Sequence, residues 1–259
     1  MRNNTVTTAD GTQMVLMEDC SSAILIVINQ LRLRCMMVDT DELPDIEVNK
    51  KELVENLVSK LFPGREEFVL GGNKFFDSQI IASRLQGNQI MTWLEEVNRR
   101  SKPKLLYRAS RDGWKGQSFH FRSDDYDHTL VVVKTREGYI FGGYSDQSWG
   151  GMLPEYKSSS SCFLFSLKCY ADLLPTKMKV KSGKEENAIY AYYCHGPIFG
   201  SGYDICIGVD NDMKKGYTYP HKTYETPSEV SDSKTFLTGK SGSHSEQCFS
   251  IAEVEVFEV

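Results

Sequence analysis

The triplet Arg111-Asp112-Gly113 combines a long cation, a short carboxylate and a residue free to take a positive φ. An aspartate side chain can close such a turn on its own backbone, and the arginine can pin the loop to a carboxylate or to carbonyls at a strand end. One reading is a structural turn lock. The other is a partner-binding corner, because loops carried on rigid sheets often make the contacts of function. Lys177, Lys179 and Lys181 share one parity and, with Lys184, form a local basic stripe. Such a stripe is either the wet face of a strand that discourages edge pairing or a docking strip for an acidic partner. His120 and His128 flank Asp124, Asp125 and Asp127, residue types suited to general acid–base work; the polarity of the stretch favours a solvated loop.

The other chemically suggestive patterns fail on spacing. Gly239-Lys240-Ser241 has the ending of a phosphate loop, but Lys234 stands where that loop needs its first glycine. Gly200-Ser201-Gly202 ahead of a strand could form an anion-binding nest, yet it lacks the third glycine and following helix of a dinucleotide site. Cys194-His195 with Cys206 falls short of the four ligands of a structural zinc site. The sequence holds no Gly-x-Ser-x-Gly elbow and no Cys-x-x-Cys pair. Neither a catalytic residue, a cofactor nor a metal is assigned. Among the cysteines, Cys35 follows Arg32 and Arg34, and Cys169 follows Lys168, the basic setting that thiolate chemistry needs. Gly142-Gly143 interrupts a strand, which lets another element approach its backbone. Tyr190, Tyr192, Tyr193, Tyr203, Tyr217, Tyr219 and Tyr224 cluster late and offer contact area with wet hydroxyls.

These residues sit on two kinds of pattern. Leu53, Val54, Leu57, Val58, Leu61 and Phe62 recur at helical spacing and are stopped by Pro63-Gly64. Residues 1–13 are polar and read as frayed, and the apolar stretch 20–38 fits helix or strand. Residues 1–69 are therefore expected to be a small, mainly helical appendage. After the turn at Leu70–Asn73, Leu85, Ile90, Met91, Leu94 and Val97 trace a second helix ending near Asn98, with Gly87 near its start. Period two follows in Lys104–Ala109, Thr129–Lys134, Tyr139–Tyr144, Cys162–Leu167, Met178–Lys181, Ala188–Tyr193, Tyr203–Val209 and Phe249–Val259. In the last, Ala252, Val254 and Val256 oppose Glu253 and Glu255, which predicts one dry face and one wet face, with a bulge at Phe257. The expected fold is α+β and mainly β: a two-sheet antiparallel β-sandwich with a few flanking helices.

Charge adds one exclusion. The net charge of -5 falls entirely in residues 1–69, with 7 basic and 12 acidic side chains, while residues 70–259 hold 23 of each. A neutral main domain has no general attraction for nucleic acid. The first twenty residues lack the pattern of a signal peptide, and no apolar run approaches the ~20 residues that span a bilayer. The expectation is a cytoplasmic protein with reduced thiols.

The order of motifs carries a resemblance. Leu105-Leu106-Tyr107-Arg108-Ala109-Ser110-Arg111-Asp112-Gly113-Trp114 resembles the opening of TLDc domains. Thr129–Lys134, Tyr139-Ile140-Phe141-Gly142-Gly143-Tyr144, Cys162-Phe163-Leu164-Phe165-Ser166-Leu167, Gly196-Pro197-Ile198-Phe199-Gly200 with Tyr203–Ile207, and Phe236-Leu237-Thr238-Gly239 with Phe249–Val259 resemble its later elements. On this resemblance Asp77–Val259 is a TLDc domain, Gly113, Gly142, Gly143, Gly200, Gly202 and Gly239 are fold-motif glycines, and Ser201 replaces a family glycine. The resemblance implies a non-enzymatic binding or regulatory module, linked to oxidative-stress protection, with a protein partner such as the vacuolar proton pump. Arg111, Asp112, Lys177, Lys179 and Lys181 are the candidate contact residues. Two alternatives stand beside it: a thiol-based antioxidant enzyme or scavenger, and an innate-immune signalling protein.

Overall fold

Short β-branched and aromatic runs separated by Gly, Asp and Pro become strands because each buries side chains against a neighbour on the pleated surface. The computed structural model describes residues 4–7, 13–16, 73–151, 153–209, 211–240 and 248–259. The chain divides into Met1–Gly71 and Gly72–Val259. In the first unit β1 (Asn4–Thr7) pairs antiparallel with β2 (Gln13–Leu16), Asn4 opposite Leu16. The frayed start expected there is thus corrected: Thr5, Val6 and Thr7 favour a strand, and Asp10-Gly11 supplies the turn signal. The expected helix at residues 53–62 and the apolar stretch 20–38 lie outside the described residues.

In the second unit one sheet runs β3 (Lys104–Arg108), β13 (Cys248–Glu258), β4 (Thr129–Thr135), β5 (Ile140–Ser145), β7 (Phe163–Lys168), β8 (Thr176–Lys179). The other runs β6 (Glu155–Lys157), β9 (Ile189–Ala191), β10 (Ile198–Phe199), β11 (Ile205–Val209), β12 (Asp212–Thr218). Strand β13 joins them: Cys248, Phe249 and Ser250 pair with β12, and the rest pairs with β4 and β3. All pairings are antiparallel, and the sandwich expected from the sequence is what forms. Its interior is filled by Val131, Val133, Phe141 and Leu164 from one sheet and Ile189, Phe199, Ile205 and Ile207 from the other.

The outer face of the β4 sheet is covered as well. Helix α1 (Arg84–Glu95) starts at Ser83, whose hydroxyl caps Gln86 while Gln86 caps Ser83 in return. It lays Ile90, Trp93 and Leu94 on Leu130, Val132, Phe163 and Phe165. Burial on both faces is why β4 reads as a continuous apolar run rather than an alternation. A register shift does fall between Val256 and Phe257 in the pairing with β3, where Leu106 is the extra residue; Phe257 keeps the parity of Glu253 and Glu255 and meets Phe76 edge-on at 5.1 Å. The close approaches expected at the double glycine are present. A Cβ on Gly143 would lie 2.7 Å from the Phe199 ring, and one on Gly142 would strike the Val131 carbonyl.

One expectation is overturned, and three segments take on structure that the sequence patterns do not announce. The polar stretch Asp212–Thr218 forms β12, whose Gly216 lies under the Phe249 ring; an aromatic from β13 supplies the packing that the strand's own sequence lacks. Ser158–Ser161 is an ordered turn, since Ser159 is buried and its hydroxyl accepts from the amides of Ser161 and Cys162. Two short helices, α2 (Ala109–Asp112) and α3 (Gly116–Ser123), occupy a stretch for which no element was read. The face carrying Glu253 and Glu255 is not wet: both side chains are buried. No described helix is long and apolar enough to cross a membrane.

Candidate functional site

The corner after β3 is built around one carboxylate. Strand β3 ends at Arg108, α2 makes a single turn, and Gly113 at φ 108 redirects the chain into α3. Only glycine holds that backbone angle without strain. The Asp112 carboxylate, 5% exposed, accepts from the Arg108 amide at 2.9 Å, from Arg111 Nη2 at 2.7 Å, and pairs with Arg122 Nη2 at 3.3 Å. Arg111 also donates to the Leu106 carbonyl, and Tyr107 donates its hydroxyl to the Gly113 carbonyl at 2.8 Å. Burial opposes the Asp112 charge, but the Arg111 and Arg108 hydrogen bonds and the two guanidinium charges win and hold its carboxyl below the usual range. Asp112 is thus the lock of the turn. Arg111 and Arg122 keep 44% and 49% of their side chains exposed. Beside them Phe121 projects with 85% exposed, its ring 5.9 Å from the Arg122 guanidinium.

Beneath the corner lies a second cluster that spacing did not reveal. Glu255, fully buried, accepts from Arg108 Nε at 2.7 Å, the Gln79 amide at 2.8 Å and the Ser78 hydroxyl. Arg108 Nη2 reaches on to the Asp77 carbonyl at 2.7 Å. Glu253 accepts from the Ser110 amide at 3.1 Å. Both glutamates therefore tie β13 to the segments around α1 and α2. The sequence signal was present but masked: an acidic alternation in a strand whose neighbours are apolar on both faces marks buried, partnered carboxylates rather than a wet face.

The basic stripe is divided by the fold. Lys177 is not presented to solvent: its side chain is 10% exposed, it pairs with Glu96 at 2.9 Å, and it sits 4.2 Å over the Phe163 ring. Lys181 donates to the His221 carbonyl. Lys179 and Lys184 are exposed. Strand β8 is the last of its sheet, but Lys181 N donates to the Thr223 carbonyl and Glu225 N to the Lys179 carbonyl, so a loop covers that edge. The stripe and the Arg111 corner do not meet, for β13, β4, β5 and β7 separate β3 from β8.

The remaining candidates are structural. Gly200, at φ 81, lies against Asp204, a Cβ there falling 1.8 Å from the carboxylate. Buried Asp204 accepts from the amides of His221 at 2.7 Å, Lys222 at 2.9 Å and Thr223 at 3.1 Å. The anion beside Gly200-Ser201-Gly202 is the chain's own. Gly202 packs on Lys222, and Gly239, at φ 73, lies under the Tyr170 ring. Cys162, Cys169 and Cys206 are buried, and burial pushes the Cys162 thiol up to about 12. His120 is not in a solvated loop: it is tied to Asp124 at 2.7 Å and to the His195 carbonyl at 2.8 Å. His128 meets the Tyr144 hydroxyl at 2.9 Å. Among the described residues no group of three or more His, Cys, Asp and Glu side chains is arranged to hold a metal ion.

The corner and its buried carboxylates are thus carried by a β-sandwich whose two sheets are joined through one long closing strand. The family model for the TLDc domain matches residues 75–259, and the chain belongs to that family. It is 24% identical over 204 residues to the GTPase-activating protein skywalker of Drosophila melanogaster, covering 73% of this chain and 33% of that protein. It is 50% identical over 42 residues to the MTOR-associated protein MEAK7 of Danio rerio, 16% of this chain and 9% of that one. With MEAK7 of Gallus gallus it shares 29% over 109 residues, 38% of this chain and 22% of the relative. The chain thus spans a third or less of the length of these relatives.

Proposed function

We propose that this chain acts in the cytosol as a regulatory module that binds a protein partner through the corner formed by Arg111, Phe121 and Arg122. The observation that carries the reading is the division of labour at that corner. Asp112 is buried and fixes the turn, Phe121 is exposed, and the Arg111 and Arg122 side chains that pair with Asp112 remain about half exposed. Exposed aromatic and arginine side chains on a rigid base are the residue types enriched where proteins meet. Two relatives fit a regulatory role by their names, one an MTOR-associated protein and one a GTPase-activating protein. The family resemblance puts the soluble sector of the vacuolar proton pump forward as the partner, and protection from oxidative stress as the consequence of that association. Direct thiol scavenging draws less support, since a nucleophilic cysteine wants a stabilised thiolate and Cys162 is shifted the other way. The test is affinity capture with the full chain as bait, scoring the pump's soluble sector and the MTOR kinase separately. Recovery of the pump sector is expected. Recovery of the kinase alone reassigns the partner, and recovery of neither with folded bait overturns the reading.

A further inference from the structure

An imidazole bridges helix α3 and the turn before β10. His120 Nδ1 lies 2.7 Å from Asp124 Oδ1, and His120 Nε2 lies 2.8 Å from the His195 carbonyl and 3.2 Å from the Tyr192 carbonyl. A carbonyl oxygen only accepts, and an ionised carboxylate only accepts. Both ring nitrogens must therefore carry protons for all three contacts to be hydrogen bonds. A neutral histidine has one N–H and can keep only one side of the arrangement.

We infer that His120 is a proton-operated latch: as the imidazolium it clamps α3 to the Tyr192–His195 turn, and loss of one ring proton releases that turn. The groups facing the ring are few. From its own segment come Asp124, with Asp125 next in sequence, and the Phe119 ring at 4.9 Å. From the turn come the Tyr192 and His195 carbonyls; the turn's titratable side chains are Tyr192, Tyr193, Cys194 and His195, whose ring stacks on Tyr192 at 5.2 Å. Arg122 is committed to Asp112. Asp124 is the anion that balances the imidazolium. Burial works against the charged ring, but Asp124 and the two carbonyls outweigh it and raise the His120 pKa above its ordinary value. The folded pKa is raised, so the latch is fully engaged below the unfolded value near ~6.5 and disengages as pH rises through the folded value. The turn it holds carries Tyr193, 54% exposed, and the helix carries Phe121. The relative placement of two exposed aromatics is thereby tied to pH. The inference stands whether or not that surface binds the proposed partner.

Ring nitrogen NMR on the full chain with labelled histidine reads the latch directly, alongside amide exchange at residues 192–196 corrected for intrinsic rates. The expected result is two protonated ring nitrogens on His120 at pH 6, a midpoint above ~6.5, and exchange at 192–196 that rises through the same midpoint. Each unit of pKa elevation corresponds to about a tenfold change in the opening equilibrium. His120→Gln should make that exchange independent of pH, and Asp124→Asn should lower the midpoint. A singly protonated ring at pH 6, or exchange at 192–196 that stays flat through the wild-type titration, overturns the inference; these readings need no variant.

Discussion

Replacing Glu255 by glutamine tests the buried frame of the corner. The substitution keeps size and one acceptor, but leaves the Arg108 guanidinium, 10% exposed, without its close counter-charge at 2.7 Å. Its other carboxylate, Asp77, is 77% exposed and 3.4 Å away, too solvated to compensate. Breaking a buried pair by removing one partner costs about 3–5 kcal/mol. For a domain of this size, that loss lowers Tm by roughly 6–20 °C. Arg108→Met should cost a similar amount for the mirror-image reason, an uncompensated Glu255. The double variant Arg108→Met/Glu255→Gln removes both charges, so the losses should fall short of additivity by about 2–3 kcal/mol. Urea unfolding of the full chain, followed by tryptophan fluorescence with Trp93 buried in the outer core of the same sheet, measures all three. A Glu255→Gln cost under about 1 kcal/mol, or strictly additive losses, would show that the pair behaves as a solvated one and refute the reasoning.

Three further outcomes follow from the same structure. Asp204→Ala strips the acceptor from three backbone amides and should cost about 3 kcal/mol, with amide exchange rising first at residues 221–223. Gly143→Val should unfold the domain or force Phe199 out of the core, because even a Cβ at that position falls 2.7 Å from the ring; near-ultraviolet circular dichroism reports the loss of aromatic packing. Asp112 has a depressed pKa, so its contribution is present above the unfolded value near ~3.9 and fades as pH falls through the folded value. Urea midpoints taken between pH 7 and 3 should fall less for Asp112→Asn than for the wild type.

Strand positions were legible because runs of β-branched and aromatic residues bounded by turn residues mark strands even where both faces are covered. Thr129–Lys134 and Phe249–Val259 announce themselves, and an apolar Phe257 in line with Glu253 and Glu255 was the one hint that their shared face is covered. Helix α1 was equally plain from Leu85, Ile90 and Leu94, and its capping box is written in Ser83 and Gln86. Strand β12 was not, since Asp212–Thr218 owes its place to Phe249 arriving from far along the chain. The polar clusters were the least legible. Arg108 and Glu255 are 147 residues apart, and a carboxylate in an alternating strand looks wet until the second covering layer is known. His120 was hidden for the same reason: its acceptors are main-chain oxygens of a turn more than seventy residues away, and carbonyls leave no trace in sequence. By contrast the turn lock, one of the two readings that Arg111-Asp112-Gly113 offered, needs only partners close by in the chain.

The central claim is that the Arg111–Phe121–Arg122 corner binds a protein while its buried carboxylate serves the fold. Phe121→Asp isolates it, since a side chain 85% exposed carries almost none of the core. The decisive measurement is the affinity of the purified full chain for the isolated soluble sector of the vacuolar proton pump, wild type against Phe121→Asp, with Tm recorded for both. Wild type is expected to bind measurably, the variant to lose tenfold or more, about 1.4 kcal/mol, and Tm to stay unchanged. Equal affinity of the two proteins would contradict the claim, as would a folded wild type that does not bind.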